Sequence, residues 1–148
     1  MAAFLLMGSK MDRFLEFIVN HWILSGTFAA LLVAWFLLER ARSGQLLSPQ
    51  MLTLLLNRET GVVVDIREKK EFSEGHIKGS VHIPLASLKE RVKDLEKYKD
   101  KQIILVDKMG QHSATAAKLL REAGIENIAR LQGGIAEWRN GSLPVSKK

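Results

Sequence analysis

A chain of 148 residues, 47% hydrophobic and 26% charged, has a globular balance and room for one ordinary domain plus an accessory segment. The lack of cysteine excludes disulfides and thiol chemistry, and it is compatible with any compartment. The net charge of +6 comes from bases interspersed with acids, as in KERVKDLEKYKDK (Lys89–Lys101), which is the pattern of a solvated helix face. Nucleic acid is therefore not an expected partner, and the surplus charge better suits an anionic membrane surface.

Residues 1–16 form an N-terminal tail in which Lys10 and Arg13 balance Asp12 and Glu16. Met11 opens MDRFLEFIVNHW, a complete anchor start, so either Met1 or Met11 fits as the first residue. Residues 17–38, FIVNHWILSGTFAALLVAWFLL, contain no charge. As a helix this segment would be roughly 33 Å long, enough for a bilayer core of about 30 Å. Trp22 and Trp35 stand near its ends, where indole rings favour the membrane interface. A core helix would show a polar face, and this one shows none. A cleaved signal peptide has an apolar core of roughly 7–15 residues. This run is longer, and the only cleavage-like site, Ala41–Ser43, contains Arg42, so an uncleaved transmembrane helix is expected.

Within that helix Gly26, Ala30 and Ala34 recur every fourth residue, with Ser25 and Ala29 alongside. Such a stripe lets a second helix approach closely, another membrane protein or a second copy in a homo-oligomer, although alanine-rich spans also produce it by composition. Arg40 and Arg42 follow the span directly, so the positive-inside rule places the rest of the chain in the cytoplasm, anchored to a bacterial inner membrane.

Residues 39–47 read as a linker broken at Gly44, and residues 48–148 as the domain. Ser48-Pro49 opens a helix that Gly61 closes. Val62–Ile66 is a strand, EKKEFSEG a brief helix ending at Gly75, and Ser80–Pro84 a second strand. Ser87 and Glu90 have capping-box spacing, which predicts a helix to about Tyr98. Ile103–Asp107 is a third strand. A helix capped by Ser113 and ended by Gly124 follows, then a fourth strand, Asn127–Leu131, and a last helix from Gly133-Gly134. Apolar strands alternating with helices predict an α/β fold, with a parallel sheet covered on both faces.

Three pieces share an order. The first runs Asp65-Ile-Arg67-Glu68 to Gly75-His76-Ile77-Lys-Gly79-Ser80 and ends at Ile83-Pro84. The second is the loop Asp107-Lys108-Met109-Gly110-Gln111-His112-Ser113, and the third is Gly133-Gly134-Ile-Ala-Glu-Trp138. Together they resemble the rhodanese homology domain across about Gln45–Val145, and with the preceding span they are similar to its small membrane-anchored bacterial members.

The resemblance implies a three-layer α/β domain whose active members carry a persulfide on a cysteine in a Cys-x-x-Gly-x-Arg-Ser loop. Here Asp107 stands at the cysteine position and His112 at the arginine position, while Gly110 and Ser113 match. A carboxylate cannot carry sulfane sulfur. Its charge would also repel thiosulfate by ~4 kcal/mol at about 4 Å and an effective dielectric near 20. The expectation is a pseudoenzyme with no catalytic residue, no metal and no cofactor, which binds a protein or ligand through its degenerate loop.

The other motif residues have structural readings. His76 makes hydrogen bonds rather than acting as a base, while Asp65, Arg67 and Glu68 tie a strand end to its neighbours. Trp138 packs in the core, and Gly133 and Gly134 form a tight turn. Lys108 and His112 either face solvent or meet an acidic partner or lipid headgroup. Two alternatives remain: changed chemistry at Asp107, phosphotransfer or hydrolysis, and a bare anchor that recruits a membrane protein through the Gly26/Ala30/Ala34 stripe.

Overall fold

The computed structural model describes residues 12–13, 15–42 and 44–147. The tail up to Met11 lies outside the described residues, as do Phe14, Ser43 and Lys148. The chain divides into two units, Met1–Glu39 and Arg40–Lys148, each treated by itself.

In the first unit residues 15–20 are helical, His21 is a turn, and helix α1 runs from Trp22 to Arg42. The expected helix over 17–38 keeps its i→i−4 bonds through His21, whose N–H donates to the Phe17 carbonyl at 3.0 Å and whose carbonyl accepts from Ser25 N–H at 2.9 Å, and it extends past Leu38. Glu39, Arg40 and Ala41 are good helix formers, and they prolong the helix into what reads as linker. Residues Trp22–Glu39 are long and apolar enough to cross a membrane, and none of that window is buried. Gly26 has nothing within 4 Å of where a Cβ would stand, so the small-residue stripe lies open.

The second unit is built on a five-stranded parallel sheet, β1 Gln45–Leu47, β2 Gly61–Asp65, β3 Val81–His82, β4 Gln102–Val106 and β5 Ile128–Leu131, in the order β1-β5-β4-β2-β3. Its helices are α2 Pro49–Asn57, α3 Lys69–Glu74, α4 Ser113–Glu122 and α5 Gly134–Asn140. Side-chain alternation splits the core in two. Val64, Ile103, Leu105 and Ile128 pack with Ala116, Ala117 and Leu120 of α4 on one face. Val63, Ile104, Ala129 and Leu131 pack with Leu52 of α2 and Ile135 and Trp138 of α5 on the other. This is the α/β fold with a covered parallel sheet that the sequence predicts.

Four elements differ from expectation. Gln45–Leu47, read as linker, is an edge strand paired with Ala129–Leu131. Gly61 starts β2 instead of closing α2, and Glu59, at φ +56°, ends that helix. A Cβ at Gly61 would lie 2.8 Å from Ile104 Cδ1, so the glycine serves close packing. The capping box does not form: Ser87 Oγ donates to the Pro84 carbonyl, and Val92–Tyr98 is a 3₁₀ helix. Val92, Leu95 and Tyr98 recur every third residue, which three residues per turn aligns toward the core. Finally Ser113 is the first residue of α4 rather than its cap.

Candidate functional site

The carboxyl ends of β2 and β4 deliver Asp65 and Asp107, both buried, to one end of the sheet. Between Asp107 and α4 the backbone curls through Gly110, at φ +89°, so that its amides converge. Asp107 Oδ1 accepts from the Gly110 N–H at 2.6 Å, while Oδ2 accepts from His112 N–H at 2.7 Å and Ser113 N–H at 3.3 Å. The carboxylate thus fills the anion seat at the start of α4, where orphan amides and the helix dipole favour negative charge. This explains why Ser113 is not a cap: its hydroxyl is left to donate to the Gly110 carbonyl at 3.2 Å.

The turn at Gly133 and Gly134, with φ +68° and +59°, holds the loop from outside. Ile135 N–H donates to the Asp107 carbonyl at 2.9 Å and Ala136 N–H to the Lys108 carbonyl at 3.1 Å. A Cβ on Gly134 would clash with the Asp107 carbonyl and come within 2.8 Å of Met109 N.

Asp65 grips Arg67 through both carboxylate oxygens, at 2.9 Å from Nε to Oδ1 and 2.6 Å from Nη2 to Oδ2, with both side chains buried. Arg67 also donates to the Gly75 carbonyl at 2.9 Å, which ties β2 to the end of α3. His76 is buried, with Nδ1 2.9 Å from the Phe72 carbonyl and its ring stacked on Phe72 at 3.9 Å. Its backbone pairs with Ser146 in both directions. Gly79 turns at φ +79° ahead of β3. Trp138 is buried and donates Nε1–H to the Pro144 carbonyl at 3.0 Å. These hydrogen bonds tie the motif residues to the fold.

Beside Asp107 lies a cavity of about 280 Å³, with Ile66 and Leu85 as apolar lining and Arg67, Glu68, Glu71, Asp107, Lys108 and His112 as polar lining. Lys108 Nζ meets Glu71 Oε1 at 3.1 Å, an acidic partner from α3 that is not adjacent in sequence. Met109 is 61% exposed at the loop tip, and Gln111 and His112 are exposed beside it. Arg130 of β5 is missed by sequence reasoning. Burial pushes its guanidinium below the ordinary value while the charge of Asp107 pulls it back up, and its buried Nε has no hydrogen-bond partner. The available signal is a lone arginine inside the apolar strand NIARL. Among the described residues no group of three or more His, Asp or Glu side chains could hold a metal ion.

Comparison with known proteins supplies the context. The family profile named Rhodanese-like domain matches residues 48–141. The Escherichia coli K12 protein YibN, itself uncharacterized, is 34% identical over 139 residues, covering 91% of this chain and 97% of YibN. A rhodanese-related protein from Thermoplasma volcanium superposes with TM-score 0.63 at 32% identity, covering 70% of this chain and 99% of that one. Thiosulfate sulfurtransferase from Pseudomonas aeruginosa gives TM-score 0.66 at 26% identity, over 75% of this chain and 22% of its own.

Proposed function

The chain belongs to the rhodanese-like family, and from that premise we propose that it is a catalytically inactive member, anchored in a membrane and acting as an interaction module through its loop at the carboxyl end of the sheet. One observation carries the reading: Asp107 occupies the position of the family's cysteine, and both of its oxygens are bound by the amides of its own loop. A sulfurtransferase needs that seat free for a thiolate and its anionic substrate. Here the seat is occupied by a carboxylate that cannot accept sulfane sulfur.

The same hydrogen bonds count against changed chemistry at Asp107. A nucleophilic carboxylate must present an oxygen to substrate, whereas these two are turned onto Gly110, His112 and Ser113. What the loop does present is Met109, Gln111 and His112 on its outer surface and a cavity of about 280 Å³ beside it. That volume lies just below the range of about 300–1,000 Å³ common for small-molecule sites and suits a single partner side chain. The apolar α1 supports the anchor, and Arg40 and Arg42 at its end support a cytoplasmic domain on the inner membrane.

The test has two arms. The full chain should give only background turnover in a thiosulfate–cyanide assay, and measurable turnover would overturn the inactive reading. In-cell crosslinking followed by affinity capture from membranes should recover a partner that is lost on Met109→Asp. Capture that survives this change but is lost on Gly26→Leu would move recognition from the loop to the helix stripe.

A further inference from the structure

Between Arg42 and Arg58 the chain carries no charged residue, in a protein whose charged fraction is 26%. This segment contains β1 and all of α2. The inner face of α2 buries Pro49 and Leu52 against the sheet. Its outer face would ordinarily be polar, as on α4, where Thr115, Lys118 and Glu122 are the exposed residues. On α2 the exposed residues are Gln50, Met51, Leu54 and Asn57, with Met51 46% and Leu54 42% exposed. Leu46 of the edge strand is 55% exposed. Single exposed leucines are common on soluble domains, but here Met51, Leu54 and Leu46 are exposed on an uncharged segment with arginines at both ends, a surface that can enter a headgroup region without burying a charge.

Chain length says what covers it. Two residues, Ser43 and Gly44, separate the end of α1 at Arg42 from Gln45, so the three Cα–Cα steps reach at most about 11 Å. If α1 spans the bilayer, β1 starts at the headgroups, and α2 begins two residues after β1 ends. Arg40, Arg42 and Arg58 bracket the segment, with Glu39 and Glu59 just outside them, and the net positive charge that remains suits an anionic leaflet. We infer that the outer face of α2, together with Leu46, is a lipid-docking surface that seats the domain on the anionic membrane beside its own anchor. The inference rests on the anchor reading above and adds to it a second, non-covalent contact.

The chain has no cysteine, so one introduced thiol reports from one place. Full-length Met51→Cys and Thr115→Cys would each carry a fluorophore, in vesicles of phosphatidylcholine with one-third phosphatidylglycerol and nitroxide-labelled lipid. Sedimentation after alkaline carbonate first shows whether the chain is integrated, and its release would sink the anchor reading itself. In integrated protein, lipid nitroxide should quench the probe at position 51 several-fold more strongly than the probe at 115, which lies on the opposite layer. In full-length Leu46→Cys, adding Met51→Glu and Leu54→Glu should abolish quenching while circular dichroism shows the domain still folded, since both side chains are only partly covered. Equal quenching at 51 and 115 in integrated protein overturns the docking surface. Emission at 51 that follows the protein-to-lipid ratio instead would assign this face to a second copy and overturn it equally.

Discussion

Asp107→Ala would leave the amides of Gly110, His112 and Ser113 around an empty seat. Charge-assisted hydrogen bonds are worth roughly 1.5–3 kcal/mol each before compensation by water, so a loss on the order of 2–4 kcal/mol is expected in a thermal or denaturant melt. Sulfate or phosphate should recover part of that loss by taking the vacated position, raising the midpoint of the variant and not of the parent. An unchanged melt would mean that the carboxylate faces solvent. Asp107→Cys should restore little sulfur transfer, because the resemblance places His112 at the position of the family's arginine. Gly134→Ala is a second probe of the same packing. Its methyl group would enter the Asp107 carbonyl at a backbone φ of +59°, and a destabilisation of about 2–4 kcal/mol should follow, with loosening of the loop amides in hydrogen exchange. The residue identities of this site are legible in the sequence because the motif order fixes them. Glu71 is not, since it reaches Lys108 by folding from a separate helix rather than by spacing, and neither is the influence of the Asp107 charge on Arg130, which comes from a different strand.

At the scale of elements, local chemistry is readable where it acts alone. Ser48 accepts from Met51 N–H at 3.3 Å and Pro49 follows as the first helical residue, as the pair Ser-Pro predicts. It misleads where tertiary contacts compete. Ser87 and Glu90 have the right spacing for a cap, yet the burial of Leu88 and Leu95 favours 3₁₀ turns that the spacing does not encode. Three residues after Gly44 are too few to show alternation, and β1 exists only because β5 offers it a ladder. The Asp65–Arg67 pair is the tie between β2 and the end of α3. Arg67→Ala would leave the Asp65 carboxylate buried without its cation, so a loss of about 3–5 kcal/mol is expected in urea unfolding, with Phe72 and His76 loosened first. In α1, Gly26→Leu should reduce helix–helix crosslinking while the protein stays in the membrane fraction, because the side chain widens closest approach and keeps apolarity. Unchanged crosslinking would remove the stripe from consideration.

For the whole molecule, the sheet has a direction. Its strands are all parallel, so the chain enters the domain at the amino end of β1 while Asp65 and Asp107 lie at the carboxyl ends of their strands. A cysteine introduced at Lys147 should react with a membrane-impermeant reagent only after the inner membrane of spheroplasts is permeabilised, as expected for a cytoplasmic domain. Reaction in intact spheroplasts would reverse the topology. The bound carboxylate has a last consequence, which concerns time and number rather than place. A persulfide is loaded and discharged, so the state of an active relative varies with the supply of donor and acceptor. A ligand that is part of the backbone's own chain is present at unit occupancy in every copy, whatever the oxidant or sulfur supply. On the inactive reading proposed above, such a domain has no cycle to be caught in, and its effect would be set by how many copies there are.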